Sequence, residues 1–224
     1  MHVEDGTACA TSASGVYHLG GSVRGVRKSG VRISPLSAAP CSSHLTSHDL
    51  CSHPQAGENR YPYAVSLQDE VGHFCGGALI ARDAVLTAAH CVWDDAPFQV
   101  RVGSDAVYEG GELLDVDEVV VHPLNDPDTD RYDLSLVFTR DLASPDLALV
   151  RPNGAGAVPA AGETAVAMGW GDTEATADPV DLHDVRLEII TNRECAAATD
   201  GTLSYAEWIY DDMLCTFTPN RDAW

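Results

Sequence analysis

The 224-residue chain predicts an all-β fold. Three observations carry that expectation. Short apolar or alternating runs recur through its later three-quarters, turn-forming Gly, Pro, Asn and Asp cluster between them, and no strand–helix alternation supports a parallel α/β sheet. In chain order, Ala64–Gln68 (AVSLQ) alternates, Ala84–Thr87 (AVLT) is a short apolar run, and Gln99–Val102 (QVRV) sets apolar against polar. Residues 118–121 (EVVV), 134–138 (LSLVF) and 165–168 (AVAM) complete the set, rich in the β-branched side chains that suit a pleated surface. Only 193–198 and 205–210 offer short helical turns.

A composition of 45% hydrophobic and 21% charged residues supports a sizeable core. No run of 18 apolar residues exists, so no transmembrane helix is expected. Asp and Glu number 34 against 13 Lys and Arg, a net charge of −21 that repels nucleic acid and anionic membranes. The charge is uneven. Residues 1–56 carry a net of +1 and 57–224 a net of −22, and the two parts are read separately. Ten Ser, six Gly and six Ala fill the first part without apolar periodicity, so 1–56 reads as a flexible, disordered leader. It shows no secretory signal: after Met1 comes His-Val-Glu-Asp-Gly, acidic and broken by Gly, where an apolar stretch is needed.

The seven cysteines are Cys9, Cys41, Cys51, Cys75, Cys91, Cys195 and Cys215, an odd number whose pairing spacing alone does not decide. Cys41, His44, His48, Cys51 and His53 crowd together with zinc-ligand chemistry. A short Ser/His-rich segment offers little second shell, so no metal is assigned there. Asp126, Asp128 and Asp130 alternate as in a calcium loop, but Arg131 and Val137 stand where Gly and Glu are needed. That stretch reads as a solvated acidic loop.

The chemistry begins at His90, at the end of Val85-Leu86-Thr87-Ala88-Ala89-His90-Cys91. A lone His is more often structural. Here Cys75 lies 16 residues before the adjoining Cys91, and a bridge between them would fix the backbone that carries His90. A general base needs that rigidity, because proton transfer demands hydrogen-bond reach. Asp133 precedes Leu134, Leu136 and Phe138 and so enters a buried strand. A buried carboxylate is costly unless paired, and His90 is its natural partner, although one more acid in an acidic domain is the plainer alternative.

Phe74-Cys75-Gly76-Gly77 and Leu86-Thr87-Ala88-Ala89-His90-Cys91 together resemble the histidine signature of the trypsin-like serine proteases. Tyr61-Pro62-Tyr63-Ala64-Val65-Ser66-Leu67-Gln68, Val121-His122-Pro123, Tyr132-Asp133-Leu134-Ser135-Leu136-Val137, Met168-Gly169-Trp170-Gly171, Ile190-Thr191-Asn192-Arg193-Glu194-Cys195 and Met213-Leu214-Cys215 follow in that family's order. The resemblance spans 57–224. It implies two antiparallel six-stranded β-barrels, the second incomplete here. It also implies Cys75–Cys91 and Cys195–Cys215 disulfides, His90 as general base and Asp133 as the acid that orients it. By the same resemblance Asp222 lies at the base of the primary specificity pocket, so the expected substrates are polypeptides cleaved after Arg or Lys. A monomeric, extracellular or secretory protein without a cofactor is expected, with no nucleic-acid or membrane partner.

Two departures stand beside the resemblance. The family's nucleophile block, Gly-Asp-Ser-Gly-Gly-Pro, occurs nowhere in the sequence, which stops at Asp222-Ala223-Trp224. The place of the family's Ile-Val-Gly-Gly activation sequence holds Leu50-Cys51-Ser52-His53 with no basic residue before it. The expectation is an incomplete or mis-spliced product of a true protease, inactive as written. The alternatives are a non-catalytic homologue acting as a binding protein and a zinc-dependent binder working through the leader.

Overall fold

The alternating runs close on themselves. In the computed structural model, which describes residues 55–94, 96–154, 159–171, 180–198 and 205–218 and the backbone of 2–3 and 7–8, six strands form a barrel. In chain order these are β3 (Ala64–Gln68), β4 (His73–Ala81), β5 (Ala84–Thr87), β6 (Gln99–Val102), β7 (Glu112–Val121) and β8 (Ser135–Thr139), paired as β3-β4-β5-β8-β7-β6 with β6 returning to β3. Every pairing in it is antiparallel. Val65, Leu67, Leu79, Val85, Val100, Val102 and Val137 point inward and are fully buried. Each such side chain removed from water contributes on the order of 1.5–3 kcal/mol.

The turn between β6 and β7 shows how backbone chemistry shapes the barrel. Gly111 has φ +58°, and a Cβ there would overlap the Val102 carbonyl oxygen. Gly111→Ala is therefore expected to lower stability by about 2–4 kcal/mol, combining left-handed strain with the steric overlap. Urea unfolding followed by tryptophan fluorescence checks this, and an unchanged midpoint would contradict it.

A second sheet has the order β12-β11-β10-β1-β2-β9 and is open among the described residues. Its members are β1 (His2–Val3), β2 (Thr7–Ala8), β9 (Arg151–Pro152), β10 (Thr164–Gly169), β11 (His183–Ile190) and β12 (Cys215–Thr216). All its pairings are antiparallel except the parallel β2–β9 pair. The expected architecture is thus met as one closed barrel and one partial sheet. Two of the strands fall in the segment read as a leader, and packing begins slightly ahead of residue 57, with Ala56 buried and its N–H bonded to the Leu182 carbonyl.

The halves are stitched along 105–107 and 180–182. Val107 N–H donates to Val180 O, Leu182 N–H to Asp105 O, and the Trp170 indole N–H also to Asp105 O at 2.8 Å. Nearby, the buried Tyr61 hydroxyl donates to Asp184 Oδ2 at 2.6 Å, with Arg60 3.5 Å from the same oxygen. Burial, first, and the Asp184 carboxylate, second, hold the Tyr61 phenol well above the ordinary tyrosine range. Among the described residues no helix is long and apolar enough to cross a membrane.

Candidate active site

Strand register brings His90 and Asp133 together. β5 and β8 pair antiparallel with Thr87 opposite Ser135, so the chain leaving β5 passes the chain entering β8. His90 lies three residues beyond Thr87, and Asp133 two before Ser135. His90 sits in a single 3₁₀ turn, η1 (Ala89–Cys91), entered through extended Ala88 and closed by Val92 N–H to Ala89 O. Cys91 is bridged to Cys75 in β4, with Cα atoms 6.1 Å apart. The Thr87 hydroxyl donates to Gly76 O at 2.8 Å, tying β5 to β4 just before that turn. The His90 backbone is thus held from both sides.

Asp133 clasps His90 at two points. Its Oδ2 accepts the His90 Nδ1–H at 2.6 Å and its Oδ1 accepts the His90 backbone N–H at 2.8 Å. The Asp133 side chain is 8% exposed and that of His90 17%, so the pair is largely shielded from water, and His90 Nε2 is itself buried. Charge-assisted bonds of this length are strong, and the double contact leaves the carboxylate little freedom to rotate. With the proton fixed on Nδ1, the neutral ring presents its acceptor lone pair at Nε2. The Trp93 ring stands edge-on to the imidazole at 6.2 Å, and its indole N–H donates to Asn125 Oδ1.

Cys75, His90 and Cys91 place potential ligand atoms within 4.8 Å of one another. The two sulfurs are joined to each other, so neither is the thiolate that a zinc site requires. In the acidic loop, the Asp126 carboxylate is engaged by the loop itself, accepting from the Thr129 hydroxyl at 2.8 Å and from the Asp128 N–H at 3.0 Å. Those donors, the hydroxyl first, hold its carboxyl below the usual aspartate range. The second disulfide, Cys195–Cys215, links a short helix, α1 (Asn192–Ala197), to β12. Thr191 and Glu194 cap α1 reciprocally, as the sequence Thr-x-x-Glu permits. Asp222, the leader cysteines and the His/Cys cluster of 41–53 lie outside the described residues.

Residues 50–223 match the family model described as Trypsin. This chain belongs to the trypsin family. It is 35% identical over 174 residues to Trypsin epsilon of Drosophila erecta, covering 73% of this chain and 64% of that protein. It is 34% identical to Trypsin of Sarcophaga bullata, covering 73% and 65%, and 34% identical to Trypsin theta of Drosophila melanogaster, covering 73% and 63%. The trypsin-family chain therefore spans just under two thirds of the length of these curated relatives. Family membership agrees with the closed barrel and with both disulfide pairings.

Two features of this trypsin-family chain were not anticipated from its sequence. The first is a Ser–His bond, between Ser66 Oγ and His73 Nδ1 at 2.7 Å. Ser66 is fully buried and its hydroxyl also accepts from Gln68 Nε2, so it faces no substrate and serves the core. The second is a set of contacts on Arg131, in the loop leading to Asp133. A lone Arg in an acidic loop gives no hint of its partner, which lies 81 positions further on at Asp212.

Proposed function

We propose that this chain carries the general base and its orienting acid for a serine endopeptidase that cleaves after Arg or Lys. The observation behind this reading is the two-point clasp of Asp133 on His90. A binding-only homologue has no use for a shielded carboxylate that fixes both the backbone and the tautomer of one histidine. In the proposed reaction a serine hydroxyl attacks the scissile carbonyl while His90 Nε2 takes its proton. The imidazolium so formed is stabilised by Asp133 and returns that proton to the departing amine. Water then repeats the cycle on the acyl-enzyme, releasing the acid product and restoring the serine.

The nucleophile and the amides that stabilise the oxyanion belong to a Gly-Asp-Ser-Gly-Gly-Pro block absent from these 224 residues. A polypeptide of these residues alone is accordingly inactive, and activity belongs to a form extended through that block. Disulfides, together with the family, point to an oxidising, secretory compartment.

The experiment is a paired assay on arginine and lysine ester substrates. The extended protein should hydrolyse them and be labelled by a serine-directed phosphonate. The 224-residue polypeptide should match buffer, because nucleophile and oxyanion donors are both lacking and little residual catalysis remains without them. Turnover by the shorter polypeptide, or a folded and disulfide-bonded extended form that neither turns over nor labels, would overturn the proposal.

A further inference from the structure

The loop that delivers Asp133 is not held by its own barrel alone. Asp130 and Tyr132 adopt left-handed backbone at φ +54° and +51°, conformations that cost a non-glycine residue about 1–3 kcal/mol each unless surroundings enforce them. Arg131 lies between them. From the barrel side, the Asn125 amide donates to the carbonyls of Arg131 and Tyr132, and the His122 ring stacks on Tyr132 at 5.1 Å. From the other half of the molecule come Tyr210 and Asp212. The Arg131 guanidinium lies 4.9 Å from the Tyr210 ring centre and 5.1 Å from that of Tyr132, and its Nε is 3.4 Å from Asp212 Oδ1.

Asp212 is the unusual member. Both its carboxylate oxygens are buried, and neither makes a hydrogen bond among the described residues. A shielded carboxylate without such bonds depends on a nearby cation, and among the described residues Arg131 supplies it. The segment carrying Asp212 is itself anchored. Asn192, at the start of α1, donates to the carbonyls of Tyr210 at 2.7 Å and Met213 at 3.0 Å, and α1 is disulfide-bonded to β12. A rigid unit outside the barrel thus grips a residue two positions before Asp133.

We infer that Arg131, sandwiched between Tyr132 and Tyr210 and paired with Asp212, is a positioning residue that locks Asp133 in its two-point grip on His90. The inference rests on reading His90 and Asp133 as the base–acid pair. It adds that this pair is competent only when the 210–213 turn is docked. The strap couples folding of the second half to the geometry of a site built wholly from the barrel.

The test uses the 224-residue chain and needs no turnover. The readout is the exchange with water of the His90 Nδ1 proton, whose resonance lies far downfield in a short bond to a carboxylate. Asp212→Asn, which removes the charge and keeps the shape, is the deciding variant. It should speed that exchange about tenfold, the size expected for one coupled charge contact. Arg131→Met, which keeps the stem and loses the cation, should do the same, and Arg131→Lys should return it most of the way by restoring the charge to Asp212. Gly111→Ala, which weakens the barrel without touching the strap, should leave it within about twofold, separating positioning from general stability. Exchange within twofold of the original chain in Asp212→Asn would overturn the strap, provided Asp133→Asn abolishes the resonance. A resonance that persists in Asp133→Asn would instead overturn the base–acid reading itself.

Discussion

Replacing Asp133 by Asn in the extended protease is expected to lower kcat about 10⁴-fold with little change in KM. The two contacts explain why so small a change does so much. Asp133 Oδ1 accepts the His90 backbone N–H and Oδ2 accepts the ring Nδ1–H. Asparagine offers one oxygen and one amide nitrogen for these two places. The oxygen must face the backbone N–H, because an amide placed there would oppose donor to donor. Its NH₂ group then faces Nδ1, which can accept only by giving up its proton. The ring adopts the other tautomer, with the proton on Nε2, where a base must have a lone pair. The side chain is nearly isosteric and buried, so fold and substrate binding should persist. Steady-state kinetics at neutral pH checks this, with disulfide mapping to verify the fold. A loss smaller than about tenfold would mean that Asp133 is not what sets the tautomer.

Local signals made the barrel legible, and longer-range ones escaped. Ala64–Gln68, Ala84–Thr87 and Gln99–Val102 announce themselves by alternation or short apolar runs, and the structure gives each the same bounds. β4 is harder to read as a strand, because Gly76 and Gly77 stand in its middle. Gly77 is there for packing: a Cβ would come within 2.7 Å of Val85 Cγ1 on the neighbouring strand. β11 alternates, with Val185, Leu187 and Ile189 buried and Arg186 and Glu188 exposed, but the buried Asp184 breaks the pattern where the strand begins. His90 and Asp133 were legible because each sits in a distinctive short motif. Their mutual geometry follows from the Thr87–Ser135 register, which no local pattern encodes. The Arg131–Asp212 pair was illegible for a stronger reason. Its members are ordinary charged residues in a chain with 34 acids, and only the tertiary fold says which acid meets which arginine.

Asp222→Ser in the extended protease should lower kcat/KM for arginine and lysine substrates about 10⁴- to 10⁵-fold, the range for a site that loses its designated polar partner. The proposal rests on family spacing: Asp222-Ala223 follows Cys215 where the trypsin-like pattern puts the base of the specificity pocket. A guanidinium or ammonium entering a narrow pocket sheds its water, and a fixed carboxylate replaces what is lost. The same carboxylate left facing a phenylalanine or leucine would be desolvated without a partner, so it rejects apolar residues as well as welcoming cations. Loss of Asp222 should therefore do two things at once, weakening basic substrates and relieving the penalty on apolar ones. A second, diffuse effect must be kept apart from this one. Residues 57–224 carry a net charge of −22, which draws cationic peptides toward the molecule at low salt. That attraction fades as the Debye length shrinks, from about 30 Å at 0.01 M to about 8 Å at 0.15 M salt. The contact with Asp222 would be short and shielded, so its share of the discrimination should survive added salt. Profiling a peptide library for both forms at low and physiological ionic strength distinguishes the two contributions. An arginine preference that vanishes with salt in the original protein, or one that Asp222→Ser leaves intact, would assign the specificity to the surface field and remove Asp222 from the pocket.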